Sequence, residues 1–231
     1  MADSELTPFP TDWRRAVVFV AHPDDPEYGM AAAVARWTEE GRQVDYVLAT
    51  SGEVGIEGMP PEVAGPIRED EQRRSAAIVG VTDVIFLGIG DGQVRNDQAT
   101  RSLISTEITQ READMVITLY RGPGWAPDQP NHPDHINFGV AVAEAVAGLP
   151  AEQRPRWLFE SSPEPSHLQA VTRDQMALAV HSLAAHEEYL KVLDPQTPVI
   201  EQARAQVQRM CLPADDPDGE PRVGFTTLPA D

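Results

Sequence analysis

Two short clusters in this 231-residue chain hold side chains that could hydrolyse a bond. The first is His22-Pro23-Asp24-Asp25-Pro26-Glu27, the second Asn131-His132-Pro133-Asp134-His135. Imidazoles and carboxylates are the donors of a catalytic zinc site, which uses three protein ligands and keeps one position open. His22 and Asp25 stand three apart across a tight turn, so both can face one point. His135, from the second cluster, can supply the third ligand. A nitrogen and oxygen donor set without cysteine also suits ferrous iron, so zinc, Zn(2+), is the expected cofactor and Fe(2+) the alternative. Asp24 is then left over. A carboxylate beside a metal but not bound to it can take a proton from water, whose pKa the ion lowers from about 15.7 towards about 7. General-base help of this kind contributes on the order of 10²–10⁴ in rate. Asp134 reads as a carboxylate that orients a histidine. Singly, these residues have blander readings: His-Pro-Asp is common in loops, and Asp24 could cap the helix that follows.

The elements around the clusters are what make the combination specific. The apolar run Ala16 to Ala21 reads as a strand buried on both faces, and it ends on the first cluster. Pro26 and Glu27 suit the first turn of a helix, which runs on through Trp37 and stops near Gly41. Further strands are expected at Val44 to Ala49, Val84 to Ile89, Met115 to Tyr120 and Arg156 to Glu160. Helices are expected at about Ile67 to Val79, Ala99 to Glu112, His132 to Val146, Thr172 to Leu190 and Val199 to Met210. This alternation predicts an α/β fold: a Rossmann-like, doubly wound, mostly parallel sheet in three αβα layers. Ligands of such sheets bind at the carboxyl ends of the strands, where both clusters fall. The Gly- and Pro-rich loop Ser51 to Pro66 lies on the same edge. The loop Arg121 to Asn131 is long enough to be functional. The chain reads as a single domain with irregular tails at about 1–12 and 213–231.

Composition excludes some classes. Eighteen Lys and Arg against 37 Asp and Glu leave a net charge of −19, which repels phosphate backbones and anionic membranes. Nucleic acid and membrane are therefore not expected partners. One cysteine, Cys211, rules out an internal disulfide framework and reads as a small buried residue. No run approaches the ~18 apolar residues of a membrane span, and the first residues lack an apolar signal core. A cytoplasmic location is the expectation.

Both clusters together resemble the paired signatures of the LmbE-like (PIG-L) family of zinc-dependent N-deacetylases. The first signature stands here as His22 to Gly29 and the second as His132 to His135. Thr50-Ser51-Gly52-Glu53, Arg68-Glu69, and Phe86-Leu87-Gly88 leading to Asp91-Gly92 also fit. The resemblance runs from about Val17 to about Tyr189. It departs at Met30 and Ala31, where relatives commonly carry glycines. It implies His22, Asp25 and His135 as metal ligands, Asp24 as general base, and His132 as oxyanion stabiliser or proton donor to the leaving amine. It also implies Arg68 as a substrate contact. Asp91, after the third strand, could accept hydrogen bonds from sugar hydroxyls, or merely serve its Asp-Gly turn. Trp125 and Tyr120 could wall a sugar ring, while Trp37 reads as core. His181 and His186 read as helix-surface or interface residues, and His167 could reach the pocket mouth.

The expected activity is metal-dependent removal of an acetyl group from an N-acetylated small molecule, most simply an N-acetylglucosamine conjugate. An amidase acting on a thiol conjugate, and a metal- or sugar-binding member without turnover, are the alternatives. A phosphoesterase usually needs a second metal about 3.5–4 Å away and more carboxylates, a set not found here. The later helices could serve assembly into a homo-oligomer.

Overall fold

The computed structural model describes residues 6–126, 128–213 and 219–229. Its centre is an eight-stranded sheet. The strands are β1 (Thr7–Pro8), β2 (Arg15–Val20), β3 (Gln43–Leu48), β4 (Val84–Phe86), β5 (Met115–Thr118), β8 (Trp157–Ser161), β9 (His167–Ala170) and β10 (Arg222–Thr227). A small hairpin, β6 (Gly124–Ala126) with β7 (Gln129–Pro130), stands apart from it. The order across the sheet is β1-β9-β10-β8-β5-β2-β3-β4. Every pairing is parallel except the two made by β10. The expected doubly wound α/β sheet is the one observed.

The crossovers explain where the chemistry falls. From β2 the chain passes through α1 (Asp25–Gly29) and α2 (Ala31–Glu39) to β3, then through α3 (Pro61–Ile78) to β4. It then returns through α4 (Gln98–Gln110) to β5, on the other side of β2. The reversal between β2 and β5 opens a crevice at their carboxyl ends, the switch point of such sheets. The first cluster leaves β2. The second opens α5 (Pro133–Gly148) after β5 and the hairpin.

Alternation along the strands builds the two cores that hold this frame. Val18, Val20, Tyr46, Leu48 and Ile117 pack with α2, α3, α6 (Arg173–Ala184) and α8 (Val199–Met210). Val17, Phe19, Val47 and Val116 pack with Ile104 and Ile108 of α4 and Phe138 and Val142 of α5. Trp37 is fully buried, as expected. No helix among the described residues is long and apolar enough to cross a membrane.

Four expectations need correction. The stretches 1–12 and 213–231 are not wholly irregular: β1 pairs β9, Phe9 packs on Trp37, and β10 lies between β8 and β9. Residues 1–5, 214–218, 230 and 231 lie outside the described residues. In β10, Val223 and Phe225 point inward, an alternation too short to stand out beside a Pro- and Asp-rich run. The helix expected over Thr172 to Leu190 is two: α6 and α7 (Glu187–Leu193), broken at Ala185 and His186. His186 is fully buried at that break, its Nε2 3.4 Å from a Glu27 oxygen, and is not a surface residue. Helix α3 begins at Pro61 rather than Ile67, because Pro61 opens it where a missing N–H is harmless and Pro66 is carried inside.

Candidate active site

The turn after β2 aims three side chains differently. Asp25 Oδ2 accepts from the backbone amides of Ala21 (3.0 Å) and His22 (2.8 Å), which anchors that oxygen. Its Oδ1 is left facing His135 Nε2 at 3.1 Å. His22 Nδ1 lies 3.3 Å from the same His135 nitrogen and 3.7 Å from Asp25 Oδ2. Asp24, between them, points elsewhere. Its oxygen meets Arg68 Nη2 at 3.3 Å, and its side chain does not cap α1.

Local chemistry sets the second cluster too. Pro133 starts α5, and His132 is its N-cap, with Nδ1 accepting from the Asp134 amide at 3.2 Å. A ring nitrogen that accepts carries no proton, so in the neutral ring the proton of His132 sits on Nε2. His135 lies one turn in. Its Nδ1 is 3.2 Å from Asn131 Oδ1, and the Asn131 amide nitrogen donates to the carbonyls of Tyr120 (2.6 Å) and Gly122 (2.9 Å). Asn131 therefore presents oxygen to His135, which leaves Nε2 of that ring as the free donor atom.

His22 has carboxylates on its far side. Its Nε2 is 3.2 Å from Asp91 Oδ1 and 3.3 Å from Asp134 Oδ2. These acids are held in turn by the amides of Val54 and Gly92. A proton on Nε2 shared with these acids turns the Nδ1 lone pair towards Asp25 and His135. Burial disfavours charge on His22, but hydrogen bonds to Asp134 and Asp91 and the charge of Asp25 outweigh it and lift the pKa to about 10. His135 also rises, since Asp25 outweighs its burial. Asp25 is held low against its own burial by His135 and His22. Burial pushes Asp24 up to about 6, with Arg68 opposing. Burial and the charges of His22 and His135 keep His132 below its ordinary value.

Such crowding tests whether a cation fits. Two ring nitrogens lie 3.3 Å apart with the two oxygens of one carboxylate beside them, among acids that raise the pKa of both histidines, and a divalent ion would relieve that arrangement. Among the described residues, His22, His132 and His135 also bring ring nitrogens within 4.8 Å of one another, as His22, Asp91 and Asp134 do their donor atoms. The second set uses the His22 face already engaged by anchored acids.

The site floors a cleft of about 470 Å³ whose lining includes Tyr28, Gly55, Trp125, Ser161, Tyr189 and Arg209. Trp125 lines it as anticipated; the Tyr120 ring packs on it, tilted by 51° at 5.1 Å between centroids, but is not itself among the lining residues. His167 is not among the lining residues and packs on Phe159. Arg68 is 3% exposed, and it donates to the carbonyls of Gly52 (2.9 Å) and Pro23 (2.7 Å) beneath the Tyr189 ring. It reaches the cleft as a clamp on two loops more than as a free cation. Asp91 likewise spends its carboxylate on His22 and Val54. Sequence reasoning missed Asn131, Tyr28, Tyr189 and Gln72. Only Asn131, inside the second cluster, carried a local signal.

Imidazoles and carboxylates gathered at the switch point of a doubly wound α/β sheet are the residue types that metal-assisted hydrolysis uses. The family model described as PIG-L, GlcNAc-PI de-N-acetylase, matches residues 17–146. The chain belongs to the PIG-L family. It is 30% identical over 187 residues to a probable N-acetyl-alpha-D-glucosaminyl L-malate deacetylase 2 of Bacillus anthracis, covering 75% of this chain and 80% of that one. The solved N,N'-diacetylchitobiose deacetylase of Pyrococcus horikoshii superimposes with a TM-score of 0.78 at 20% identity, over 95% of this chain and 85% of that one. A 4-carboxy-2-hydroxymuconate hydratase of Pseudomonas putida also superimposes, with a TM-score of 0.69 at 17% identity over 93% and 96%. These two structural likenesses carry the fold alone.

Proposed function

We propose that this protein is a metal-dependent N-deacetylase that releases acetate from an N-acetylglucosamine conjugate. The observation that supports it best is the approach of His22 Nδ1 and His135 Nε2 to each other and to the Asp25 carboxylate, whose Oδ2 is nearer His22 and Oδ1 nearer His135, with Asp24 beside them and outside the set. The relative from Bacillus anthracis, named for such a substrate, supports the substrate class. Because the fold also hosts a hydratase, fold alone would not.

In this reading His22, Asp25 and His135 would hold the ion, with zinc the first choice and ferrous iron the second. The chemistry such an ion supplies when bound is Lewis acidity, towards a carbonyl oxygen and towards water. The rest falls to the chain. Asp24, buried and with its pKa near 6, accepts a proton from the water that attacks the acetyl carbon. His132 Nε2–H donates to the oxyanion that develops as the carbonyl becomes tetrahedral. The C–N bond then breaks, the proton held by Asp24 passes to the leaving amine, and acetate and a free amino sugar depart. Asp134 and Asp91 keep the proton of His22 on Nε2, and Asn131 does the opposite service for His135. Trp125, backed by the Tyr120 ring, offers an apolar wall to a sugar ring, and the phenols of Tyr28 and Tyr189 offer donors to its hydroxyls.

The test is acetate release from a panel of N-acetylglucosamine conjugates, before and after chelation and after zinc or ferrous iron is restored. The reading expects activity that the chelator abolishes and the ion returns. No acetate from any conjugate, or release untouched by chelation, would overturn it.

A further inference from the structure

The proposed base rests on an unusual backbone. Asp24 has φ 90° and ψ −24°, in the left-handed region. A residue with a Cβ holds that conformation only where its surroundings impose it. Its own carboxylate makes no cap contact that would do so.

What imposes it is one face of α3. The Pro23–Asp24 peptide bond has two polar groups, and both are taken by residues one helical turn apart. Arg68 Nη2 donates to the Pro23 carbonyl at 2.7 Å, and the Asp24 amide donates to Gln72 Oε1 at 2.8 Å. Positions i and i+4 share a helix face, so the two side chains reach the same peptide plane. Rotation of that plane is the motion that would release the left-handed turn, and it would break both contacts.

The Gln72 amide cannot turn over. Gln72 is fully buried, and its Nε2 donates to the two Glu27 oxygens at 3.2 and 3.3 Å. Glu27, itself 3% exposed, demands a donor, while the Asp24 amide demands an acceptor.

We propose that Gln72 is a positioning residue. It clamps the Pro23–Asp24 peptide against α3, opposite Arg68, and so fixes the direction of the Asp24 carboxylate, with Glu27 setting the sense of the clamp. The catalytic consequence rests on Asp24 being the base; the clamp itself does not.

Two variants test it. Gln72→Leu removes the acceptor. Gln72→Glu together with Glu27→Gln conserves charge and reverses the buried pair, so that residue 72 still accepts from the Asp24 amide. The leucine variant should lower kcat about 10- to 100-fold, the scale of a misplaced catalytic group, with KM and bound metal within about twofold of the wild type. The double exchange should restore most of kcat. Amide hydrogen exchange over residues 21–28 of the metal-free protein should quicken about tenfold in the leucine variant and return in the exchange. Wild-type kcat and exchange in the leucine variant would overturn the proposal. So would a loss that merely follows lost metal or lost folded protein, or a folded, metal-loaded double exchange that is not rescued. If the wild type releases no acetate, the deacetylase reading fails instead, and the exchange measurement alone decides the clamp.

Discussion

Asp24 and His135 occupy one site but should fail differently when removed. Asp24→Ala should keep its metal and lose turnover by on the order of 10²–10⁴; a fully active variant would remove Asp24 as the base. His135→Ala should lose the ion itself, and metal content unchanged after dialysis would contradict the ligand assignment. The titrations make a further claim. His22 is lifted to about 10 by its hydrogen bonds to Asp134 and Asp91 and the charge of Asp25, so it favours the proton at neutral pH in the metal-free protein, and Asp25 shifts His135 in the same direction. Ligation requires neutral rings, so binding an ion at pH 7 should release about one proton, that of His22. Calorimetry in buffers of different ionisation enthalpy reads that number, and a value of zero would contradict this electrostatic picture. The sign for stability follows as well. A histidine raised by folding stabilises the metal-free chain fully below its unfolded pKa of about 6.5, and that contribution is lost as pH rises through about 10. Thermal unfolding of the chelated protein should therefore come earlier at pH 10 than at pH 6.5.

At the scale of elements, legibility depended on the length of the pattern. Strands β2 and β5 were readable because each is a continuous apolar run ending on polar residues, which is what two covered faces require. Helix α5 was readable because Pro133 follows an N-cap residue. Strand β10 was not, since only Val223 and Phe225 alternate there and its partners lie 52 to 68 residues earlier in the chain. Nor was the break between α6 and α7, where no Gly or Pro marks the sequence and His186 is buried 3.4 Å from the distant Glu27. Tertiary contact also hides Gln72, whose helix looks ordinary until the turn after β2 and Glu27 of α1 are brought against it. The strand makes its own prediction. Phe225 is fully buried among Phe9, Trp37 and the sheet, so Phe225→Ala should cost about 3–5 kcal/mol. Denaturant unfolding measures this, and a loss under 1 kcal/mol would mean that β10 is dispensable to the core.

On the scale of the whole molecule, the sheet joins what the chain keeps apart. His22 and His135 are separated by 113 positions and meet because the strand order reverses between β2 and β5. Sequence could name the residues on each side of that reversal, and family resemblance could pair them. It could not say that Asp91 and Arg68 would be bound to protein groups, because that follows from the folding of loops around them. The meeting point is also the account's most exposed claim. Crystals of the zinc-loaded protein, measured at the zinc absorption edge, should give one anomalous peak between His22 Nδ1, Asp25 Oδ1 and His135 Nε2, with Asp24 outside the coordination sphere. A peak on the other side of His22, shared with Asp91 and Asp134, or zinc bound directly by Asp24, would contradict it.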